Sequence, residues 1–60
     1  MTRETFCRAM ERRGYTVTNL GLITFLDAEM ENGAHYTAMW FFKADGTRDE
    51  TKPASWRITR

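Results

Sequence analysis

The strongest pattern in the chain is an uninterrupted apolar run at residues 38–42, Ala-Met-Trp-Phe-Phe. Its aromatic content favours a β-strand. Successive side chains of a strand point to opposite faces of a sheet, so Trp40 and Phe42 are expected on one face and Met39 and Phe41 on the other. A sheet that is apolar on both faces needs a covering layer on each side.

The spacing of apolar residues near the N-terminus predicts a helix over residues 2–13. Thr2 is a suitable N-cap, Glu4 lies in the first turn, and basic residues in the last turn complement the helix dipole. Gly14 is a suitable C-terminal stop. Positions three and four apart share one side of a helix. The narrow apolar face of this helix consists of Phe6, Ala9 and Met10, with Cys7 at its margin.

A β-hairpin is predicted around Asn32-Gly33, the residue pair preferred in two-residue type I′ turns. Its strands are residues 22–31 and 34–43. The β-branched and aromatic residues before the turn favour a strand. An alternative stays open, because apolar residues here also fit a helical stripe. Residues 19–31 would then form a second helix that ends at Asn32-Gly33.

The two-residue turn determines the register of the predicted hairpin. It pairs Phe25 with Trp40 on one face of the sheet and Leu26 with Met39 on the other. We expect the N-terminal helix to cover the first of these faces, where Phe42 also lies.

A third strand is predicted at residues 55–60, where Trp56 and Ile58 alternate with polar residues. Its register stays open, and with it the direction in which Trp56 points. The chain, residues 1–60, is therefore predicted to form a single small α+β domain. An N-terminal helix packs on a three-stranded antiparallel β-meander, in the order αβββ.

Size and composition limit how such a domain is stabilised. A chain of 60 residues buries only about 60% of the surface of its unfolded state. Cys7 is the only cysteine and His35 the only histidine, so no internal disulfide forms and no structural zinc site is expected. We interpret Cys7 as a small core residue. Oligomerisation is the remaining common stabiliser of small folds.

Targeting signals are not recognised in the sequence. The N-terminus is polar, and no apolar run approaches the roughly 20 residues that span a bilayer. A lone cysteine fits a reducing compartment. We therefore expect a soluble, cytoplasmic protein that does not engage a membrane.

Patterns typical of catalysis or metal binding are also not recognised. His35 and Ser55 are components of a hydrolytic triad, but nothing in the sequence brings them together. Asp27, Glu29 and Glu31 alternate along one strand, which is more typical of a solvated hairpin end than of a cation site. We expect no enzyme activity, no cofactor, no metal and no small-molecule substrate.

The second apolar sheet face is the strongest functional feature of the sequence. One short helix covers one face of a small sheet but not both, and large exposed apolar patches mark interaction sites. We expect a protein–protein interaction module, such as an adaptor, regulator or inhibitor, that forms a homodimer. The competing arrangement folds residues 15–20 over this face. The predicted interface residues are Leu26, Met39, Phe41, Trp56 and Ile58.

Nucleic-acid binding is the alternative function. The net charge of +1 combines basic segments at residues 1–14 and 47–60 with an acidic segment at residues 15–46. A dedicated nucleic-acid binder is usually more basic, but aromatic side chains beside arginines often hold single strands. The predicted contacts are Arg8, Arg12, Arg13, Trp56 and Arg57.

Overall fold

A computed structural model describes residues 2–59. It contains one N-terminal helix and a four-stranded antiparallel sheet, so the α+β class is confirmed, whereas the predicted number of three strands is wrong. The strands lie side by side in chain order. The elements are α1 (Arg3–Arg12), β1 (Thr16–Leu20), β2 (Ile23–Glu29), β3 (His35–Phe41) and β4 (Ser55–Thr59).

Helix α1 begins and ends at the predicted signals. The side-chain oxygen of Thr2 accepts a hydrogen bond from the N–H of Thr5 at 3.3 Å. At the other end, the N–H of Tyr15 donates to the carbonyl of Met10 at 3.1 Å, across Gly14, whose φ is +95°. This left-handed glycine closes the helix as in a Schellman motif.

The fourth strand is β1, which the predicted three-stranded meander did not include. It joins β2 through a two-residue turn at Gly21-Leu22, and Gly21 has a φ of +59°, as the first position of a type II′ turn requires. Because it adds to the edge of the sheet, this segment does not fold over the second face. The alternative second helix over residues 19–31 is also wrong, since β1 and β2 occupy most of that range.

The β2–β3 hairpin forms, but its loop contains three residues rather than two. The N–H of Met30 donates to the carbonyl of Ala34 at 2.7 Å, which leaves residues 31–33 as the loop. The N–H of Gly33 donates back to the carbonyl of Met30 at 3.0 Å, and Gly33 has a φ of +82°. This is a type I turn followed by a left-handed residue. Asn32 supports it, because its Oδ1 accepts from the N–H of Ala34 at 3.0 Å.

The longer loop shifts the hairpin register by one residue, which moves β2 side chains to the other face of the sheet. Phe25 pairs with Met39, and Leu26 pairs with Ala38. The predicted pairs Phe25–Trp40 and Leu26–Met39 are therefore wrong. Leu26 lies beneath the helix, and Phe25 lies on the opposite face. For β4, the last residue of the predicted strand, Arg60, lies outside the described residues.

The core lies between α1 and one face of the sheet. Phe6 and Cys7 from the helix pack with Leu26, Ala38 and Phe42. The ring centroid of Phe6 is 5.4 Å from that of Phe42. The predicted apolar helix face is confirmed, and so is the prediction that Phe42 faces the helix. No helix or strand within residues 2–59 covers the other face of the sheet.

Two Asx turns, in which an aspartate side chain accepts from the backbone N–H two residues later, order the connection between β3 and β4. Oδ1 of Asp45 accepts from the backbone N–H of Thr47 at 2.9 Å, and Asp49 accepts from the N–H of Thr51 at 3.1 Å. The threonine hydroxyls also donate to these carboxylates, which lowers the pKa of both aspartates. The N–H of Arg3 donates to a carbonyl of this connection at 2.7 Å, which fastens it to the start of α1.

Candidate interaction surfaces

The sheet face opposite α1, called the open face below, has an apolar half and a polar half. The cross-strand pairs Ile23–Phe41 and Phe25–Met39 form the apolar half, and all four side chains are half-buried. The ammonium of Lys52 lies 5.9 Å from the ring centre of Phe41. A shallow hollow of about 520 Å³ lies at the centre of this face. Its polar lining residues are Thr16, Thr18, Asp27, Thr37, Ser55 and Arg57.

A histidine–carboxylate pair lies in the polar half of the open face. Nδ1 of His35 is 2.8 Å from Oδ1 of Asp27. The hydrogen bond to Asp27 and its charge, with the charge of Glu29, raise the pKa of His35 above its ordinary value of 6.5. Ser55 is four residues from Thr59, which pairs with His35. That spacing corresponds to about 13 Å along a strand, so His35 and Ser55 form no nucleophile–base pair.

The five residues predicted as one protein interface do not share a surface. Met39 and Phe41 lie together on the open face. Leu26 is 1% exposed beneath α1, because the register shift turns it towards the helix, so its assignment to the interface is wrong. Trp56 and Ile58 lie on the helix side of the sheet, where they are 43% and 58% exposed.

A row of aromatic rings crosses the helix side of the sheet. Trp56 stacks on Tyr36, with ring centroids 5.1 Å apart and an interplanar angle of 23°. Trp56 also meets Trp40 edge-on, with centroids 5.8 Å apart. The ring centroid of Tyr15, three residues beyond the end of α1, lies 6.5 Å from that of Tyr36. These contacts hold Trp56 in one orientation although much of its surface is exposed.

An apolar groove of about 380 Å³ lies between α1 and this aromatic row. Two arginines, Arg13 and Arg48, line it together with apolar side chains. The guanidinium carbon of Arg48 is 4.5 Å from the ring centre of Trp40, a cation–π contact. Within residues 2–59, neither arginine forms an ion pair with a carboxylate. The apolar lining residues are Phe6, Ala9, Met10, Trp40 and Phe42.

Trp40 carries a hydrogen-bond donor that the fold does not use. Its Nε1 is buried and has no hydrogen-bond partner in the described part of the chain. A buried donor without an acceptor costs roughly 1–3 kcal/mol. Trp40 therefore leaves one buried donor of the described residues unsatisfied.

The residues predicted to contact nucleic acid are also divided between surfaces. Trp56 and Arg57 are neighbours in β4 and so point to opposite faces, which places Arg57 at the open face. Arg8 donates to Oε1 of Glu4 at 2.7 Å. Arg12 and Arg13 are exposed at the end of α1. Arg13 alone of these arginines lines the groove.

Arg48 is the functional candidate that the sequence did not reveal. It lies in the polar connection between β3 and β4, where no periodic pattern gives its direction. An isolated bridge to Phe42 brings it back to the sheet and places its guanidinium on Trp40. The only available signal was composition, namely a basic residue close after a turn.

A polar network beneath the start of α1 was missed as well. Nε of Arg3 donates to Oδ1 of Asn19 at 3.1 Å and to the hydroxyl of Thr24 at 3.0 Å, and Nη2 donates to the carbonyl of Ile23 at 2.9 Å. The thiol of Cys7 lies 3.8 Å from the same Asn19 oxygen. Cys7 is buried, as predicted for a core residue. The partners of Arg3 are 16 to 21 positions away, too distant for a local pattern to indicate them.

Across residues 2–59, no three His, Cys, Asp or Glu side chains lie close enough together to hold a metal ion. In the same range, no helix has the length and apolar character needed to cross a membrane.

Comparison with protein-family models, with curated proteins and with solved structures gives no match. The function is therefore inferred from the surfaces themselves.

Proposed function

We propose that the chain is a small non-enzymatic interaction module, acting as an adaptor, regulator or inhibitor, which pairs with a second copy of itself through the open face. The main support is the apolar half of that face: Ile23, Phe25, Met39 and Phe41 adjoin one another, and no helix or strand of residues 2–59 lies over them. Each aromatic ring carries about 150–250 Å² of surface. Packing a second sheet on this face removes that surface from water.

The arrangement of the open face favours a second copy as the occupant. In face-to-face packing with a two-fold axis parallel to the strands, β2 of one copy lies over β3 of the other. Phe25 then meets Met39 of the second copy, because these residues share one row of the sheet. By the same rule, Glu29 meets His35 of the second copy. Apolar groups thus face apolar groups, and an acid faces a base.

The size of the open face sets the expected strength of this contact. Four strands of five to seven residues present a face of about 19 Å by about 20 Å. A face of about 380 Å² per copy lies below the roughly 600 Å² per partner of stable specific interfaces and in the range of weak, transient contacts. We therefore expect a dimer that dissociates in the micromolar range rather than a permanent one.

Sedimentation velocity over a concentration series from about 1 to about 500 μM tests the dimer. The wild-type chain should shift from monomer to dimer across this range. Phe41→Glu should remain monomeric, because it places a charge in the apolar half of the contact. The matched control is Ile58→Glu, which introduces the same charge on the helix side, where Ile58 is 58% exposed.

Circular dichroism of both variants should match the wild type, so that loss of the dimer is not loss of the fold. A wild-type chain that stays monomeric at the highest concentration overturns the proposal. Equal loss of the dimer in Phe41→Glu and Ile58→Glu overturns the assignment to the open face.

The alternative proposal, a nucleic-acid-binding accessory protein, is favoured by one observation: Trp56 is 43% exposed and is held in place by Tyr36 and Trp40. Exposed aromatic rings serve as stacking platforms for bases. Fluorescence anisotropy with a labelled oligothymidine and a labelled duplex tests it at roughly 50 mM salt. Binding that weakens in Trp56→Ala and with added salt supports it, and absence of binding rejects it.

A further inference from the structure

We propose that the groove between α1 and the aromatic row binds an acidic peptide segment of a partner protein, which inserts one apolar side chain between Met10 and Trp40. Arg13 and Arg48 receive the carboxylates of that segment. The groove lies on the helix side of the sheet, away from the open face. This binding therefore does not depend on the proposed dimer.

The lining of the groove selects an apolar group. Five of its seven lining residues are apolar, and its volume of about 380 Å³ is near the small end for ligand pockets. A groove of this size has room for an apolar side chain together with the backbone that carries it. Met10 adds an adaptable wall, because its thioether chain adjusts to differently shaped side chains.

The two arginines at the groove favour a ligand with acidic residues beside its apolar side chain. Both arginines that line the groove lack a carboxylate partner among residues 2–59. A guanidinium pairs with a carboxylate through two parallel hydrogen bonds, which gives direction as well as attraction. Arg48 already rests on the ring of Trp40, so part of its conformational freedom is lost before a ligand arrives.

Trp40 supplies a reporter for occupation of the groove. Its side chain lines the groove, and its Nε1 is buried without an acceptor within the described residues. A ligand that packs against the ring changes the surroundings of this indole N–H. The same donor offers a spectroscopic signal for occupation of the groove.

A nucleobase fits the groove less well than a peptide. The ring centroid of Trp40 lies 4.8 Å from that of Phe6 and 4.5 Å from the guanidinium carbon of Arg48. The ring face that Arg48 covers is not open to base stacking. The polar edges of a base would also lose water against an apolar wall without gaining hydrogen bonds in return.

The probe is the blocked peptide Glu-Glu-Leu-Glu-Glu, added to ¹⁵N-labelled protein and followed by NMR. The chain has two tryptophans, so the indole region contains two N–H signals, and Trp56→Phe assigns them. The Trp40 signal should shift in a saturable manner. The peptides Glu-Glu-Gly-Glu-Glu and Lys-Lys-Leu-Lys-Lys should each bind at least about tenfold more weakly, because one lacks the apolar side chain and the other the carboxylates.

The double variant Arg13→Glu/Arg48→Glu should also bind the acidic peptide at least about tenfold more weakly. The matched control is Arg12→Glu/Lys43→Glu, which makes the same change of net charge at residues that do not line the groove. Neither Arg13 nor Arg48 has a side-chain hydrogen bond in residues 2–59, so both variants should fold.

Three kinds of outcome overturn the proposal. The first is a lack of discrimination, either equal binding of the three peptides or equal weakening in the two double variants. Another is a tighter shift of the Trp40 signal with oligothymidine than with the acidic peptide, which assigns the groove to nucleic acid. The third is loss of the wild-type dimer in Arg13→Glu/Arg48→Glu but not in Phe41→Glu, which assigns the groove to a second copy. A monomeric wild type that still binds the acidic peptide rejects the dimer and leaves the groove assignment supported.

Discussion

Arg3 donates a hydrogen bond from Nε to the hydroxyl of Thr24 at 3.0 Å, and this bond connects the first residue of α1 to β2. Thr24 is completely buried, and its hydroxyl donates in turn to Asn19 of β1 at 2.7 Å. Arg3 thus joins the helix to two strands through polar contacts, while Phe6 joins it to the sheet through apolar ones. A charged side chain held by neutral acceptors in this way stabilises one position of the helix over the sheet.

We expect Arg3→Met to lower the free energy of unfolding by about 1–3 kcal/mol, because it removes the hydrogen bonds that the charged guanidinium donates to the buried Thr24 hydroxyl and to the Ile23 carbonyl. Urea denaturation followed by circular dichroism measures the change. Arg8→Met is the control: Arg8 is exposed and, among residues 2–59, pairs only with Glu4 in the same helix. Its loss should cost at most about 0.5 kcal/mol. Equal effects in the two variants would contradict the structural role of Arg3.

Leu26→Ala should lower the free energy of unfolding by about 2–5 kcal/mol, because it removes a side chain that is 1% exposed at the centre of the core. The control is Leu22→Ala in the β1–β2 turn, where the leucine is 51% exposed and truncation should change stability by less than about 0.5 kcal/mol. Urea denaturation of the two variants compares them. If Leu22→Ala destabilised the chain more than Leu26→Ala, Leu26 would lie on the open face, as the sequence alone predicted.

The helix and its ends could be predicted because their signals are local. Thr2 caps the first turn, and Gly14 adopts the left-handed conformation that stops the last one. The split of Met39 and Phe42 between two faces was predictable for the same reason, since it depends only on strand alternation. These features need no knowledge of how distant segments pair.

The register of β2 could not be predicted from the residue pair at its turn. Asn32-Gly33 fits a two-residue loop, but it fits equally a three-residue loop in which Gly33 alone is left-handed. The difference is one residue, and it exchanges Phe25 and Leu26 between the core and the open face. Burial of Leu26 under α1 favours the longer loop, and that contact is tertiary. The groove was missed for the same reason, since Arg48 reaches Trp40 only after the connection folds back.

Gly33→Ala should lower the free energy of unfolding by about 1–2 kcal/mol, because φ is +82° at this position and a Cβ makes that conformation strained. A loss of this size corresponds to a fall in Tm of about 4–16 °C for a domain of 60–100 residues. Gly33→Asn is the control, since asparagine tolerates the left-handed region better than alanine does. Thermal unfolding should rank the three chains wild type, Gly33→Asn, Gly33→Ala. Equal Tm values for all three would argue against the three-residue loop.

The last prediction concerns pH and the pair formed by His35 and Asp27. The hydrogen bond and charge of Asp27 raise the pKa of His35 above 6.5 in the folded chain. Protonated His35 is therefore favoured by folding. The contribution of the pair is complete below a pH of about 6.5 and is lost as the pH rises through the folded pKa. NMR titration of the His35 ring should show a midpoint above 6.5 in the wild type and a lower midpoint in Asp27→Asn.

Because both side chains of this pair are about half exposed, the effect on stability should be small and should weaken with added salt. Urea denaturation at pH values of about 6 and about 8.5 should show that the wild type loses more stability on raising the pH than Asp27→Asn does. Glu29→Gln is the matched control, since Glu29 contributes charge but no hydrogen bond and should lower the His35 midpoint by less than Asp27→Asn. An unchanged midpoint in Asp27→Asn would show that the 2.8 Å contact does not hold the proton on His35.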